Sequence, residues 1–390
     1  MHTMDVTYEL VTPAFLEGFS PESPSVRLRE SSLKGVLRFW WRALAYSYYE
    51  GQLARIHNHD MAIFGSPRSQ SSLLFLPCTA TTPLHVKDDA FPPSRYPGMK
   101  YLGYGLGGSR GAKNIPYIAA PWRFTMTIIS RQPFDPLVLD AVKVLGLIGG
   151  IGRRTRRGFG SLHIIDIKQN GDTIWQGPRT VADFMQTWRH VLSHVSSNSD
   201  ALPPYTAFSN KTALYLLDQR STLCPLWDDI GSRFQNYRRW GPQGRSGTLP
   251  AERNFPDDHD LMRQVLNGQK VDHAPRRSIF GLPHNYFFRA EKEKVSVKGS
   301  TPGRERRASP LFFHFGRLAE DTYVAMAAIF PSQFLGGKDA QMTIERTGKQ
   351  SIQVPAAMES SYPVITRFVT GSIATQPDHK RFPEVKQIWP

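Results

Sequence analysis

The sequence predicts an α+β protein built as two tandem ferredoxin-like (RRM-like) domains, each an antiparallel sheet with helices packed on one face. Three observations carry this. Patterns in the first 168 residues follow the order strand, helix, strand, strand, helix, strand. A short motif of this first half recurs, in a similar setting, in the second. The chain's 390 residues, 40% apolar and 12% aromatic, suffice for more than one core.

The opening strand falls at residues 5–12, and Pro13 stops it. A Pro/Ser/Glu loop leads to about residue 30. Ser31 and Ser32 are the expected N-caps of a helix running to about Tyr49. Leu33, Leu37, Trp40, Leu44 and Tyr48 recur at helical spacing and form its apolar face. Lys34, Arg38 and Arg42, spaced i, i+4, i+8, form a separate basic stripe, with Trp41 between the two faces. Residues 71–76 and 123–130 read as strands. The Pro-, Gly- and Tyr-rich stretch 77–120 between them, centred on Gly103-Tyr104-Gly105-Leu106-Gly107-Gly108, reads as an insertion with a mobile tip. A second helix over 135–147 places Leu137, Val138, Ala141, Val144 and Leu145 on one face, and a strand at 161–168 closes the unit.

In the second half, Ile279-Phe280-Gly281-Leu282-Pro283 echoes Ile63-Phe64-Gly65-Ser66-Pro67, and Ser309-Pro310-Leu311-Phe312-Phe313 echoes Ser71-Ser72-Leu73-Leu74-Phe75. Each copy follows a predicted helix, 33–49 in one case and 258–266 in the other. Residues 211–217 and 322–330 are expected strands of the second copy. Duplication predicts domains 1–172 and 173–390, with insertions at about 77–120 and 284–308.

Forty-eight Lys and Arg against 33 Asp and Glu give a formal charge of +15, which points to a polyanionic partner. Two distant cysteines, Cys78 and Cys224, exclude a disulfide framework and a four-cysteine zinc site, and fit a reducing cytoplasm. Neither a signal-peptide pattern nor an apolar run long enough to span a bilayer is visible.

The strongest chemical signal is Gly149-Gly150-Ile151-Gly152-Arg153-Arg154-Thr155-Arg156-Arg157-Gly158-Phe159-Gly160, with five glycines, four arginines and no acid. Glycines let backbone approach a ligand, and clustered guanidiniums suit phosphate. A solvated basic turn is the bland alternative. The glycine spacing fits neither a P-loop nor a Rossmann turn. The second signal is the Lys34–Arg38–Arg42 stripe beside Trp41, a cationic surface with a possible base-stacking ring, near helix amides at 31–35 that suit a phosphate. The third is residues 276–317. There Arg276, Arg277, Arg289, Lys292, Lys294, Lys298, Arg304, Arg306, Arg307 and Arg317 face only Glu291, Glu293 and Glu305, and 291–307 is expected to be a flexible basic loop.

Catalytic signals are weak. His57-Asn58-His59-Asp60 and Asp257-Asp258-His259-Asp260 carry His-Asp pairs without the further ligands a metal centre needs. His57 and His59 are the nearest candidates for metal-free RNA cleavage through a 2′-OH. No catalytic residue, metal or cofactor is expected.

Glu9-Leu10-Val11-Thr12-Pro13-Ala14-Phe15, then Arg29-Glu30-Ser31-Ser32-Leu33-Lys34-Gly35-Val36-Leu37-Arg38-Phe39-Trp40-Trp41-Arg42-Ala43, resemble the RAMP superfamily and, within it, the first-named subunits of type III-B CRISPR (Cmr) effectors. Ile63-Phe64-Gly65-Ser66 and the 149–160 loop match in kind and order. The resemblance is strong over about 4–168 and thinner beyond. It implies tandem RAMP domains in a non-catalytic, RNA-binding, cytoplasmic structural subunit. Such a subunit sits at the head of an RNA-guided complex, near the guide's 3′ end and the target RNA, beside other RAMP subunits. Ser31, Lys34, Gly35, Arg38 and the loop residues Gly150, Gly152, Arg153, Arg154, Arg156, Arg157, Gly158 and Gly160 carry over as RNA-binding, and Arg42 joins them from the basic stripe. A metal-free guide-RNA endonuclease and a stand-alone single-stranded RNA-binding protein are the alternatives.

Overall fold

The computed structural model describes all residues except 17–27, 107–113, 196–200, 240–244, 247–248, 251, 320–321, 338, 347–350 and 390. Most of the Pro/Ser/Glu loop before residue 30 and Gly107-Gly108 of the insertion thus lie outside the described residues.

The first half runs β1 (His2–Leu10), α1 (Glu30–Tyr48), α2 (Leu53–Phe64), β2 (Leu73–Phe75), β3 (Thr79–Ala80), β4 (Val86–Lys87), α3 (Pro97–Leu102), β5 (Tyr117–Ile118), β6 (Trp122–Ser130), α4 (Pro136–Leu147), β7 (Leu162–Gln169) and β8 (Asp172–Gln176). Its antiparallel sheet has the order β2-β6-β1-β7-β8, with β3 also paired to β6. The core order is the ferredoxin-like one that the sequence predicts. Alternate residues of β1 and β6, such as Val6, Tyr8, Phe124 and Met126, face the helices and are fully buried. β8 still pairs with β7, so the first sheet continues past residue 172 to Gln176.

The second half runs α5 (Val181–Val191), β9 (Ala213–Arg220), α6 (Leu223–Arg238), β10 (Arg245–Ser246), β11 (Leu249–Pro250), α7 (Pro256–Leu266), β12 (His284–Phe288), β13 (Glu293–Gly299), β14 (Leu311–Arg317), β15 (Tyr323–Ile329), β16 (Gln341–Arg346), β17 (Ser351–Pro355), α8 (Tyr362–Thr370), β18 (Ser372–Ile373), β19 (Gln376–Lys380) and β20 (Lys386–Trp389). Its central sheet, β14-β15-β9-β20, repeats the first sheet's order. The counterpart of α1 is α6, however, and α7 stands where α2 stands. The motif echo therefore follows the second helix of each half, not the first as expected. Residues 291–307 do not form a flexible loop throughout. Residues 293–299 form β13 of an antiparallel sheet, β12-β13-β16-β17, and its inward Val295 and Val297 are fully buried.

The 77–120 insertion is pinned to the second half. α3 lies so close to α6 that a Cβ on Gly98 would sit 2.0 Å from the Asp228 carbonyl oxygen. The Asp228 carboxylate accepts the Gly98 and Met99 N–H groups at 2.7 and 3.1 Å.

The two halves share one helical layer. One side of α1 and α4 packs on the first sheet, while Trp40 of α1 meets Phe208, Phe312 and Phe330 of the second half. The second sheet is buried on both faces, which is why β15 is apolar throughout rather than alternating. Trp41, a candidate stacking platform on sequence, is fully buried against Tyr49 and Phe64. Tyr48, assigned to the apolar face, is instead 49% exposed. Ser31 and Ser32 lie inside α1 and do not cap it. Arg29 holds the cap position but its side chain does not cap the helix, and Glu30 supplies the acid of the first turn.

At the junction, residues 156–157 dock on the edge strand β14. The Phe313 N–H donates to the Arg156 carbonyl at 3.1 Å, and Arg157 bridges Phe313. Gly160 has φ +63°, and a Cβ there would lie 1.9 Å from the Ile151 carbonyl oxygen. Beneath this junction, burial lowers the His163 pKa to about 4, aided by Arg123 and Arg317 against Glu9, and lowers His314 to about 3.

Two outcomes are expected. Gly160→Ala should lower unfolding free energy by about 2 kcal/mol or more, since left-handed backbone alone costs ~1–2 kcal/mol for a residue with a side chain; chemical denaturation checks this. The unfolded chain binds protons at these histidines near pH 6.5 and the native state does not. Stability should therefore decline as pH falls from 6.5 toward 4, by up to about 1.4 kcal/mol per pH unit per histidine. A His163→Gln variant that melts in parallel with the parent across that range would refute the assignment.

Candidate nucleic-acid interface

A groove of about 330 Å³ runs between the first turns of α1 and the Gly–Arg loop. Ser31, Gly35 and Phe39 form one wall, Gly150, Gly152 and Arg156 the other, and Phe312 of β14 contributes from the second half. The Gly–Arg loop and the start of α1 thus meet in one place, while Arg38 and Arg42 of the basic stripe line the neighbouring groove. A Cβ on Gly35 would meet nothing within 4 Å, so this glycine leaves the groove wall low without being required by packing.

The loop glycines have a different job from the one expected. A Cβ on Gly150 would meet Gly160 O at 2.6 Å, on Gly152 Phe15 O at 2.5 Å, and on Gly158 the Phe315 ring at 2.3 Å. Gly152, Gly158 and Gly160 also have positive φ. These glycines let the loop close on the protein itself rather than on a ligand.

The four arginines point different ways. Arg153 is exposed, and its backbone N–H is held by Phe15 O at 2.9 Å. Arg154 has φ +62°, and its guanidinium donates to the Tyr104 carbonyl. The Arg156 guanidinium donates to the Ser309 carbonyl and lies 4.4 Å from the Phe312 ring centroid. Arg157 lies 4.7 Å from the Phe234 ring centroid. Burial and the neighbouring Arg307 lower the Arg156 pKa to about 10; burial and Arg238 lower that of Arg157 to about 9. Both side chains stay cationic at neutral pH.

The basic stripe of α1 is not free. Arg38 and Arg42 each grip the Asp60 carboxylate of α2 with two hydrogen bonds, at 2.8 and 2.6 Å and at 3.0 and 2.6 Å. Asp60 is 1% exposed, whereas Arg38 and Arg42 remain 29% and 45% exposed. Sequence reasoning assigned Asp60 only to a His-Asp pair. Its place on α2, directly beside the stripe, makes it the counter-ion that aims both guanidiniums along the groove. Burial raises the Asp60 pKa, but the two arginines outweigh it and hold the group below its ordinary value. Lys34 is half-buried and has a lowered pKa, through burial and the nearby Arg38.

A wider groove of about 640 Å³ continues past Arg38 and Arg42 to Tyr205 and the exposed His57. His59 stacks on Tyr49 with ring centroids 4.8 Å apart. Among the described residues no group of three or more His, Cys, Asp and Glu is placed to hold a metal. Part of the third signal is structural: Arg277 pairs with Asp258 at 3.2 Å, Arg317 with Glu9 at 3.2 Å and Lys298 with Glu345 at 2.7 Å. Arg307 lies half-buried at the loop, beside Tyr362.

Comparison with known proteins agrees with this architecture. Residues 7–163 match the RAMP superfamily. The particular protein that the chain resembles is a Cmr subunit. It is 24% identical to the CRISPR system Cmr subunit Cmr1-1 of Pyrococcus furiosus over 324 residues, 82% of this chain and 84% of the relative. It is 38% identical to Cmr1-2 of the same organism over 63 residues, 16% of this chain and 33% of that protein. The crystal structure of apo Cmr1 from Pyrococcus furiosus superposes with a TM-score of 0.59 at 19% identity, covering 100% of this chain and 99% of that one.

The Asp60 contact is testable by itself. Asp60→Asn should cost about 1–3 kcal/mol, less than the ~3–5 kcal/mol of a fully enclosed pair because both guanidiniums reach water. A carboxylate with a lowered native pKa stabilises above the unfolded value near 3.9, and that stability is lost as pH falls through the native value. The gap between parent and variant should therefore close below about pH 4 in urea titrations.

Proposed function

We propose that this chain is a non-catalytic RNA-binding structural subunit of a type III-B CRISPR (Cmr) effector complex. In this reading it stands at the head of the complex, near the guide's 3′ end and the target RNA, in contact with other RAMP subunits. One observation carries the RNA-binding part: the first turns of α1 and the Gly–Arg loop line one open groove with no carboxylate among its lining residues. The similarity to Cmr1-1 over most of both chains supports the assembly part. RNA phosphates meet Lys34, Arg38, Arg42, Arg153, Arg154, Arg156 and Arg157; Ser31 and Gly35 leave room for the backbone beside the α1 amides. Gly150, Gly152, Gly158 and Gly160 act by shaping the loop. Base sequence is read by the guide, not by this chain.

The chemistry is binding rather than turnover. His57 is exposed in the wider groove, where the carboxylate of Asp60 is held by Arg38 and Arg42, and His59 is occupied with Tyr49. Among the described residues no helix is long and apolar enough to cross a membrane.

Titration of the purified chain with a single-stranded RNA tests the reading. Lys34→Ala and Arg38→Ala should each weaken binding severalfold and reduce the salt slope by about one, with the fold retained. Unchanged affinity and slope in both variants would sink it. The parent should leave RNA intact in EDTA and in magnesium. Cleavage that disappears in His57→Ala or His59→Ala would promote the endonuclease alternative.

A further inference from the structure

The Gly–Arg loop has a second side, facing away from α1. There two adjoining hollows of about 380 and 570 Å³ share Arg154, Arg157, Arg238, Leu282 and Pro283. Arg307 enters one, while Arg306, Tyr101 and Tyr104 line the other. None of the residues lining either hollow is acidic.

The guanidiniums here are incompletely satisfied. Nη1 of Arg157 and Nε of Arg238 are buried from solvent and have no hydrogen-bond partner among the described residues. Their other contacts are neutral: aromatic faces of Phe234 and Phe280, the Tyr101 hydroxyl at 2.8 Å and the His284 ring nitrogen at 3.4 Å. Arg307 likewise donates to the Tyr362 hydroxyl at 2.7 Å, not to a carboxylate. Burial, Arg238 and Arg277 together hold His284 well below its ordinary pKa, so it adds no further positive charge. A cluster of fixed cations with vacant donors and no carboxylate in its lining, Glu359 acting on Arg307 only from outside the hollow, is complementary to a phosphate. Tyr104, 79% exposed, stands at the rim, where a base attached to that phosphate would reach it.

We propose that this trough is a second phosphate site, taking a phosphate of single-stranded RNA among Arg154, Arg157, Arg238 and Arg307, with the adjoining base stacked on Tyr104. It rests on the RNA-binding reading above and adds to it a role for the second half and for the 77–120 insertion. The bound RNA then passes on both sides of the loop. A backbone phosphate and a terminal phosphate share this chemistry.

The test uses the full chain and one single-stranded RNA sequence in three forms: with no terminal phosphate, with a 5′-phosphate, and with a 3′-phosphate. Tyr104 and Arg306 are exposed, so Tyr104→Ala and Arg306→Gln probe the trough without disturbing the core. Arg238→Gln probes its centre, and Arg238→Lys keeps the charge should the glutamine variant melt early. Tyr104→Ala is expected to weaken binding about tenfold, within the range for losing one stacked base. Arg306→Gln and Arg238→Gln should each weaken it severalfold and lower the salt slope, with Arg238→Lys recovering the slope. If these losses appear only with one phosphorylated end, the phosphate is terminal; if they appear with all three RNAs, it belongs to the backbone. Should Lys34→Ala weaken binding while Tyr104→Ala, Arg306→Gln and Arg238→Gln do not, the trough proposal is overturned and the groove over α1 stands. Should no variant on either side weaken binding, both readings fall.

Discussion

The architecture depends on one packing constraint: α1 and α4 must satisfy two sheets at once. A helix that covers a single sheet needs one apolar stripe. α1 buries Leu33, Leu37, Trp40, Trp41, Leu44 and Ala45, which spread well beyond one stripe. Apart from Tyr48 at its end, what remains for solvent is a narrow strip: Ser31, Ser32, Gly35 and Arg42, with Lys34 and Arg38 half-covered. The groove lies along this strip because the helix has no other surface to offer.

The Gly–Arg loop follows from the same constraint. α4 ends between the two sheets, and β7 must begin within the first. The connection has to turn tightly while lying against the second sheet's edge. Glycines with positive φ make the turn, and the backbone of 156–157 covers the otherwise unpaired β14 edge. With its backbone committed to the protein, the loop has only its side chains to offer a ligand. Arg154 sits in the left-handed region at the crest, a conformation a glycine would adopt more cheaply.

The element order of the first half, the strands near 211–217 and 322–330 of the second and the α1 core were legible because period-2 and period-3.6 patterns are local. So was the duplication: Gly65 and Gly281 both have positive φ after a buried Phe, so the five-residue echo reflects shared backbone geometry. The helix α6 was missed although Leu226, Ile230, Phe234 and Tyr237 mark its buried face. The echo drew attention to the next helix instead. The basic stretch hid a strand because charge counting ignores alternation, and Val295 and Val297 alternate with Lys294, Ser296 and Lys298. Asp60 as partner of Arg38 and Arg42, and Arg238 as neighbour of Arg157, could not be read at all. Both depend on contacts between helices or domains far apart in sequence.

The repeated topology carries an asymmetry. In the first half, the connection from α4 to β7 is the Gly–Arg loop. In the second half, the same connection runs from α8 to β20, and its Arg381 is turned inward, 1% exposed, against Glu252 and the carbonyls at the end of α8. One copy of the duplicated connection thus presents its arginines, and the other has neutralised its own. A molecule with two open loops would offer a strand two pseudo-equivalent seats and no sense of direction. With one closed, it has a front and a back, and a polar strand can be held in a single orientation.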